Sequence, residues 1–284
     1  MHRNGLQTAA LLGSLSALLL WAGHLVAGPA GLLAMSVLSL ALNGYAYANS
    51  ARIVLRSMHA RPVGEAEAPG LYRIVRELST AARQPMPALY MSPRNAPNAF
   101  ATGRCPRDAA VCVTEGLLVL LDERELRGVL GHELAHVHDR DLRTASVAAS
   151  FAGVLLLPAN LWWLRPTGDS DDDRGGFIAT IFLLVLGPVA SCIVRPAISR
   201  SREFGADASA VRLTRDPLAL ASALRKLDAG ARACPLPAKP DLLPTGALMI
   251  ADPFRAGGFS ALFCTHPPML QRVARLEDMA AVRR

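Results

Sequence analysis

Four stretches of this sequence are each long and apolar enough to cross a bilayer, which takes about 20 mainly apolar residues. They cover residues 6–28, 31–48, 145–164 and 177–198. A chain with such runs must bury them in lipid or in a very large core, and 284 residues leave little room for the second option. Apolar residues make up 51% of the chain. The expected class is therefore a mainly α integral membrane protein with four transmembrane helices. The first two runs are joined only by Gly28-Pro29-Ala30-Gly31, a link suited to a tight helical hairpin. Two alternatives remain at this level. The first run, preceded by Arg3, also has the outline of a signal peptide, although it is long for one and a second span follows directly. The third and fourth runs would also serve as a pair of buried core helices. Pro158 and Asn160 predict a kink in the third.

The net charge of +7 is carried almost wholly by arginine. These arginines flank the apolar runs and do not alternate with aromatic residues in a basic stripe, so nucleic acid is not the expected partner; the lipid bilayer is. Arg52, Arg56, Arg61, Arg140, Arg143, Arg195, Arg200 and Arg202 all fall on one side of a four-span arrangement. The loop of residues 165–176, with Asp169, Asp171, Asp172 and Asp173, falls on the other. The excess of positive charge places both chain ends, residues 50–143 and residues 199–284 in the cytoplasm. Four parts follow: a hairpin over 1–50, the first polar part over 51–143, a second pair of spans over 144–198, and the second polar part over 199–284. The five cysteines, Cys105, Cys112, Cys192, Cys234 and Cys264, are odd in number and show no CxxC spacing. Neither a disulfide framework nor a cysteine metal site is expected.

The polar parts read as an α+β domain with a small β-sheet. Leu71, Ile74, Val75 and Leu78 share a face of a helix over 69–84. Residues 88–92 and 108–121 are β-prone, with 109–114 a strand that is either an edge suited to an extended peptide or an ordinary core strand. Asp122 and Glu125 form a capping box that starts a helix running through His136. Helices are expected over 201–213, over 217–229 with Pro217 at its start, and over 267–282. The Pro- and Gly-rich stretch 233–258 reads as a long loop, either a lid or unconstrained.

The chemistry centres on His132-Glu133-Leu134-Ala135-His136. Histidines four apart stand on one helix face, a spacing that lets both imidazoles reach one zinc ion at about 2.0–2.1 Å. Glu133, beside the first histidine, reaches a zinc-bound water without ligating the metal, and is the expected catalytic base. A surface helix with scattered polar residues is the plain alternative. Catalytic zinc needs a third protein ligand and an open fourth position. His138 is two places past His136 and faces away. Glu203 in Ser199-Arg200-Ser201-Arg202-Glu203-Phe204-Gly205-Ala206-Asp207 is the better candidate, and Asp207, one turn on, would hold a ligand histidine by its outer nitrogen. By spacing alone both carboxylates also fit a solvated helix face.

Taken together, Pro97 to Gly103, the His132–His136 motif through Asp141, Ser199 to Asp207, and Leu262 to Pro268 resemble the HtpX family of membrane-bound zinc metalloproteases, peptidases of the HExxH gluzincin type. Segment order and the placement of the spans match as well. The resemblance implies one zinc per chain on His132, His136 and Glu203, with Glu133 as the base. It implies a zincin-like domain in the cytoplasm, a multi-pass protein of the inner (plasma) membrane, and protein substrates, chiefly misfolded or damaged membrane proteins. Asn98 and His266 are candidate substrate or oxyanion contacts; the local readings are a turn cap for Asn98 and a helix-start contact for His266. Competing readings are a CaaX-type prenyl-protein peptidase, an intramembrane site-two protease, and a non-enzymatic scaffold binding zinc structurally. The first needs more spans. The second needs an apolar zinc helix, whereas Glu123, Arg124, Arg127, Asp139 and Asp141 surround this one. The third would close its fourth metal position with protein.

Overall fold

The computed structural model describes residues 2–138, 142–156, 184, 187–191, 200–254 and 267–282. Most of the expected fourth span, the end of the third and the acidic loop between them lie outside these residues.

The chain opens with α1 (His2–Ala48), two helical arms joined at a sharp break. The break falls at Gly28, with φ 57° and ψ −138°, a conformation essentially confined to glycine. The arms fold back on each other: Ser39 Oγ donates to Ser16 Oγ at 2.9 Å and Asn43 Nδ2 donates to the same oxygen at 2.8 Å. Such small polar groups satisfy one another where no water reaches. Leu33, Val37 and Leu40 point outward, 65–77% exposed, which in a lipid setting is burial. Among the described residues, Ala27–Ala48 is long and apolar enough to cross a membrane, and α6 (Leu142–Leu155) is a shorter apolar helix.

Asn49 breaks the helical path, and α2 (Ser50–Ser57) follows at once. α6 packs against α1 and α2, with Ser150 Oγ donating to the Ser50 carbonyl at 3.1 Å. Four strands then form one sheet in the order β1-β2-β4-β3: β1 (Arg61–Pro62), β2 (Ala88–Ser92), β3 (Ala99–Thr102) and β4 (Ala110–Thr114). β2 and β4 are parallel, and the other pairs are antiparallel. β4 buries both faces. Val111 and Val113 enter the core shared with α3 (Pro69–Ala81), α5 (Glu123–His138), α7 (Arg200–Thr214) and α8 (Pro217–Ala233). Ala110 and Cys112 enter a second core with Val54, Met58, Phe100, Leu243 and Met249. That two-sided burial explains its continuous apolar run.

Of the two readings of the strand over 109–114, the structure shows the core strand: β2 and β3 occupy both its sides, and β3 is the edge strand beside the motif helix. Two expectations need correction. Residues 115–120 are not strand but helix α4 (Glu115–Leu120), because Thr114 Oγ1 caps it by accepting from Leu117 N at 3.1 Å. The stretch 233–258 is not an open loop as far as it is described. Leu236 bridges to Phe254, α9 (Leu243–Gly246) forms within it, and Leu242, Met249, Ile250 and Ala251 are buried. The chain closes with α10 (Met269–Ala281).

The start of α4 lies hard against the 94–95 turn. Gly116 N donates to the Arg94 carbonyl at 3.1 Å, and a Cβ at Gly116 would sit 1.9 Å from the Asn95 carbonyl oxygen. Gly116→Ala is therefore expected to destabilise the protein by about 1–3 kcal/mol. Gly64→Ala, where a Cβ meets nothing within 4 Å, should be close to neutral. Thermal unfolding of the two variants in one detergent checks this, and equal midpoints would contradict it.

Candidate metal centre

The motif helix is fixed at its N-terminus by the expected box. Asp122 N donates to Glu125 Oε2 at 3.0 Å, and Glu125 N donates to Asp122 Oδ1 at 2.9 Å. The buried Glu125 also accepts from Ser222 Oγ and Lys226 Nζ, each at 2.7 Å, which ties α5 to α8. Two glycines then allow close helix packing. A Cβ at Gly131 would lie 3.1 Å from Thr214 Cγ2, and one at Gly128 would lie 3.1 Å from Leu220 Cα. Their small size lets α7 and α8 approach α5, and α7 carries Glu203 to the histidines.

His132, His136 and Glu203 form one cluster whose ligating atoms lie within 4.8 Å of one another. His132 Nε2 and His136 Nε2 are 3.1 Å apart. Glu203 Oε1 is 3.4 Å from His136 Nε2, and Glu203 Oε2 is 3.7 Å from His132 Nε2. Tetrahedral bonds of 2.0–2.1 Å require ligand atoms about 3.3 Å apart, so these spacings fit one small ion such as zinc. His132 and Glu203 are buried, while His136 is half-buried on the open side. His138 is exposed at the end of α5 and outside the cluster.

Asp207 accepts at 2.9 Å from the outer nitrogen, Nδ1, of His132. That bond leaves Nε2 facing His136 and Glu203 and fixes the ring. Behind Asp207 lies Arg272, wholly buried. Its Nε donates to Asp207 Oδ2 at 2.9 Å, its Nη2 to Oδ1 at 2.6 Å, and its Nη1 to the Ile250 carbonyl at 2.9 Å. The guanidinium also lies 3.6 Å from Glu203 Oε2. Burial alone would raise the Asp207 pKa, but the Arg272 charge and hydrogen bonds, with His132, hold it down at about 2. Sequence reasoning missed Arg272. The signal was available: it shares the buried stripe of α10 with Val273 and Leu276, where an apolar residue is the norm.

Glu133 is buried against β3, where the nearby Ala101 backbone favours its charged form. Burial pushes its pKa up to about 7, with His132 opposing and Glu203 adding to the rise. A cation held by the cluster would favour its charged form. Asn98, also buried, donates from Nδ2 to the Ala251 carbonyl at 2.8 Å, and its Oδ1 accepts from Ala99 N at 3.1 Å. It thus joins the start of β3 to the segment 236–254. His266 lies outside the described residues.

A carboxylate beside a paired-histidine cluster, on a helix that leads into an apolar hairpin assembly, defines a membrane-bound metallopeptidase. The profile of "Peptidase family M48" matches residues 65–280. A protein described as "Protease HtpX homolog" from Kineococcus radiotolerans is 54% identical over 291 residues, covering 100% of this chain and 99% of its own. Another of that description, from Paenarthrobacter aurescens, is 52% identical, with 98% and 97% covered. One from Bifidobacterium longum is 44% identical, with 98% and 93% covered. The solved structure of Ste24p from S. mikatae aligns with 96% of this chain and 64% of that one, at 16% identity and a TM-score of 0.46. The chain belongs to peptidase family M48.

Arg272→Met would leave the Asp207 charge buried without its guanidinium, with an expected loss of about 3–5 kcal/mol. Adding Asp207→Asn should recover much of that loss while lowering metal affinity about 10–100-fold, because Asp207 orients His132. Thermal unfolding at one fixed zinc concentration, with metal retention after dialysis, checks both. No recovery in the double variant would show that the Asp207 charge is not what Arg272 offsets.

Proposed function

We propose that this chain is a zinc-dependent endopeptidase with His132, His136 and Glu203 as the metal ligands and Glu133 as the general base. The carrying observation is the 3.1–3.7 Å spacing of the three sets of ligating atoms, with Glu133 buried beside them. Bound zinc supplies Lewis acidity toward water and the scissile carbonyl. Glu133 takes the proton of the attacking water on a carboxylate oxygen and returns it to the leaving amine. Asp207 keeps the His132 ring turned toward the cluster. The half-buried His136 leaves an approach for a peptide.

The substrates in this reading are misfolded or damaged membrane proteins, and the setting is the inner (plasma) membrane. The hairpin of 1–50 and a second span pair within 144–198 anchor a peptidase unit made from 51–143 and 199–284. The arginine placement supports a cytoplasmic active site.

Glu133→Gln is expected to keep one equivalent of zinc while cleavage of casein or a membrane protein falls about 100-fold or more. Glu203→Ala is expected to lose the metal. Full cleavage by the first variant, or a tightly held zinc in the second, would remove that residue from its role. For topology, a single cysteine placed at Asp171 should react with an impermeant thiol reagent from outside intact cells. Labelling only from the cytoplasmic side would reverse the orientation.

A further inference from the structure

A cavity of about 780 Å³ lies where the second arm of α1 ends and α2 begins. Ala48 and Asn49 form part of its wall. Four arginines line it: Arg52 and Arg56 from α2, Arg104 and Arg107 from the turn between β3 and β4. Asp108, also in the wall, is taken by Arg104, whose Nε donates to its Oδ2 at 2.9 Å. Arg52 reaches only the neutral Asn49 Oδ1, at 3.4 Å. Among the described residues, Arg52, Arg56 and Arg107 have no carboxylate partner. Some other arginines on this domain's surface do take one, as Arg73 does with Glu123, Arg76 with Glu65 and Arg124 with Asp216.

Arginines that follow a span are ordinarily explained as topology signals, and Arg52 and Arg56 would need nothing more. Arg104 and Arg107 do not fit that explanation. They come from the peptidase fold, about fifty residues on, and their turn is tightly built. Gly103 has φ 137°, its N–H donates to Ser146 Oγ at 3.2 Å, and a Cβ there would sit 2.5 Å from the Asp108 carbonyl oxygen. The turn is thus locked with its cations facing those of α2, and like charges converging on one space repel unless an anion joins them.

Depth in the membrane identifies the anion. Tyr45 and Tyr47 are exposed at the end of the apolar arm, where aromatic residues mark the lipid–water boundary. The Arg104 guanidinium lies 5.9 Å from the Tyr47 ring centroid. The cavity therefore opens at headgroup level beside an apolar helix. Guanidinium groups bind phosphate oxygens in pairs, and clustered arginines just beyond a span attract anionic lipid. We propose that this cavity seats the phosphate-bearing headgroup of an anionic phospholipid, which bridges the membrane hairpin and the β3–β4 turn of the peptidase unit.

The test uses the full chain in detergent, with lipid binding read by native mass spectrometry. The probes are phosphatidylglycerol, phosphatidylcholine of the same acyl chains, and inorganic phosphate as competitor. Wild type should bind phosphatidylglycerol well above phosphatidylcholine. The pair Arg56→Gln and Arg107→Gln should weaken phosphatidylglycerol binding about thirtyfold. The pair Arg225→Gln and Arg232→Gln removes the same charge elsewhere and should leave binding within about twofold. Zinc content and thermal midpoint establish that each variant is folded. Should the first pair not fold, Arg107→Gln alone is expected to weaken binding about fivefold. Equal binding of the two lipids by wild type, or equal losses in both pairs, would overturn the proposal. So would full displacement of the lipid by millimolar inorganic phosphate, which would assign the cavity to a soluble phosphate.

Discussion

Asp207 lies between the His132 ring and the Arg272 guanidinium, and much of the peptidase unit is arranged around that carboxylate. A lone buried charge is costly, and a buried pair is tolerated only when its remaining hydrogen-bonding capacity is met. Here it is met. Arg272 gives two donors to Asp207 and a third to the Ile250 carbonyl, and Asp207 spends its other capacity on His132 Nδ1. Three helices from separate parts of the chain, α5, α7 and α10, are thereby held in one register. The Ile250 bond adds the segment 236–254 to the same network. A shift of any one element would strand a buried charge, so the network specifies position as well as contributing stability.

The position of the metal cluster follows from how α5 is held. At its start, Glu125 completes the capping box and takes two further donors from α8. Along its length, Gly128 and Gly131 remove the side chains that would keep α8 and α7 away. The ligand helix is therefore fixed along its axis by hydrogen bonds and sideways by close backbone packing.

Much of this was legible locally. The capping box, the four-residue histidine spacing and the glycine-proline link at 28–29 are short-range signals, and each matches an observed feature. Glu203 needed the family resemblance, since spacing alone does not separate a buried carboxylate from a solvated one. The helix over 115–120 turns on a local signal, the Thr114 cap, set against a β-prone composition. The other differences are non-local. Sheet order cannot be read from one strand, so β4 stays open between edge and core. The 236–254 segment is rich in Pro and Gly, yet Leu242, Met249 and Ile250 find burial against residues more than a hundred positions earlier. Arg272 was hidden because one charge on an apolar stripe looks like a blemish until its partner, 65 positions away, is known.

The edge strand β3 lies beside the chemistry and also holds the 236–254 segment. Glu133 is buried near Ala101, and two residues earlier the Ala99 carbonyl accepts from Ile250 N at 3.1 Å. The strand beside the proposed base is thus also the one that the 236–254 segment joins, and Asn98 fastens that junction through Ala251. The open direction is the one toward His136. From His136 the chain reaches Leu142, the first residue of the apolar α6, in six residues, which span at most about 22 Å even when fully extended. The metal cluster therefore lies within that distance of an apolar helix packed on the membrane hairpin.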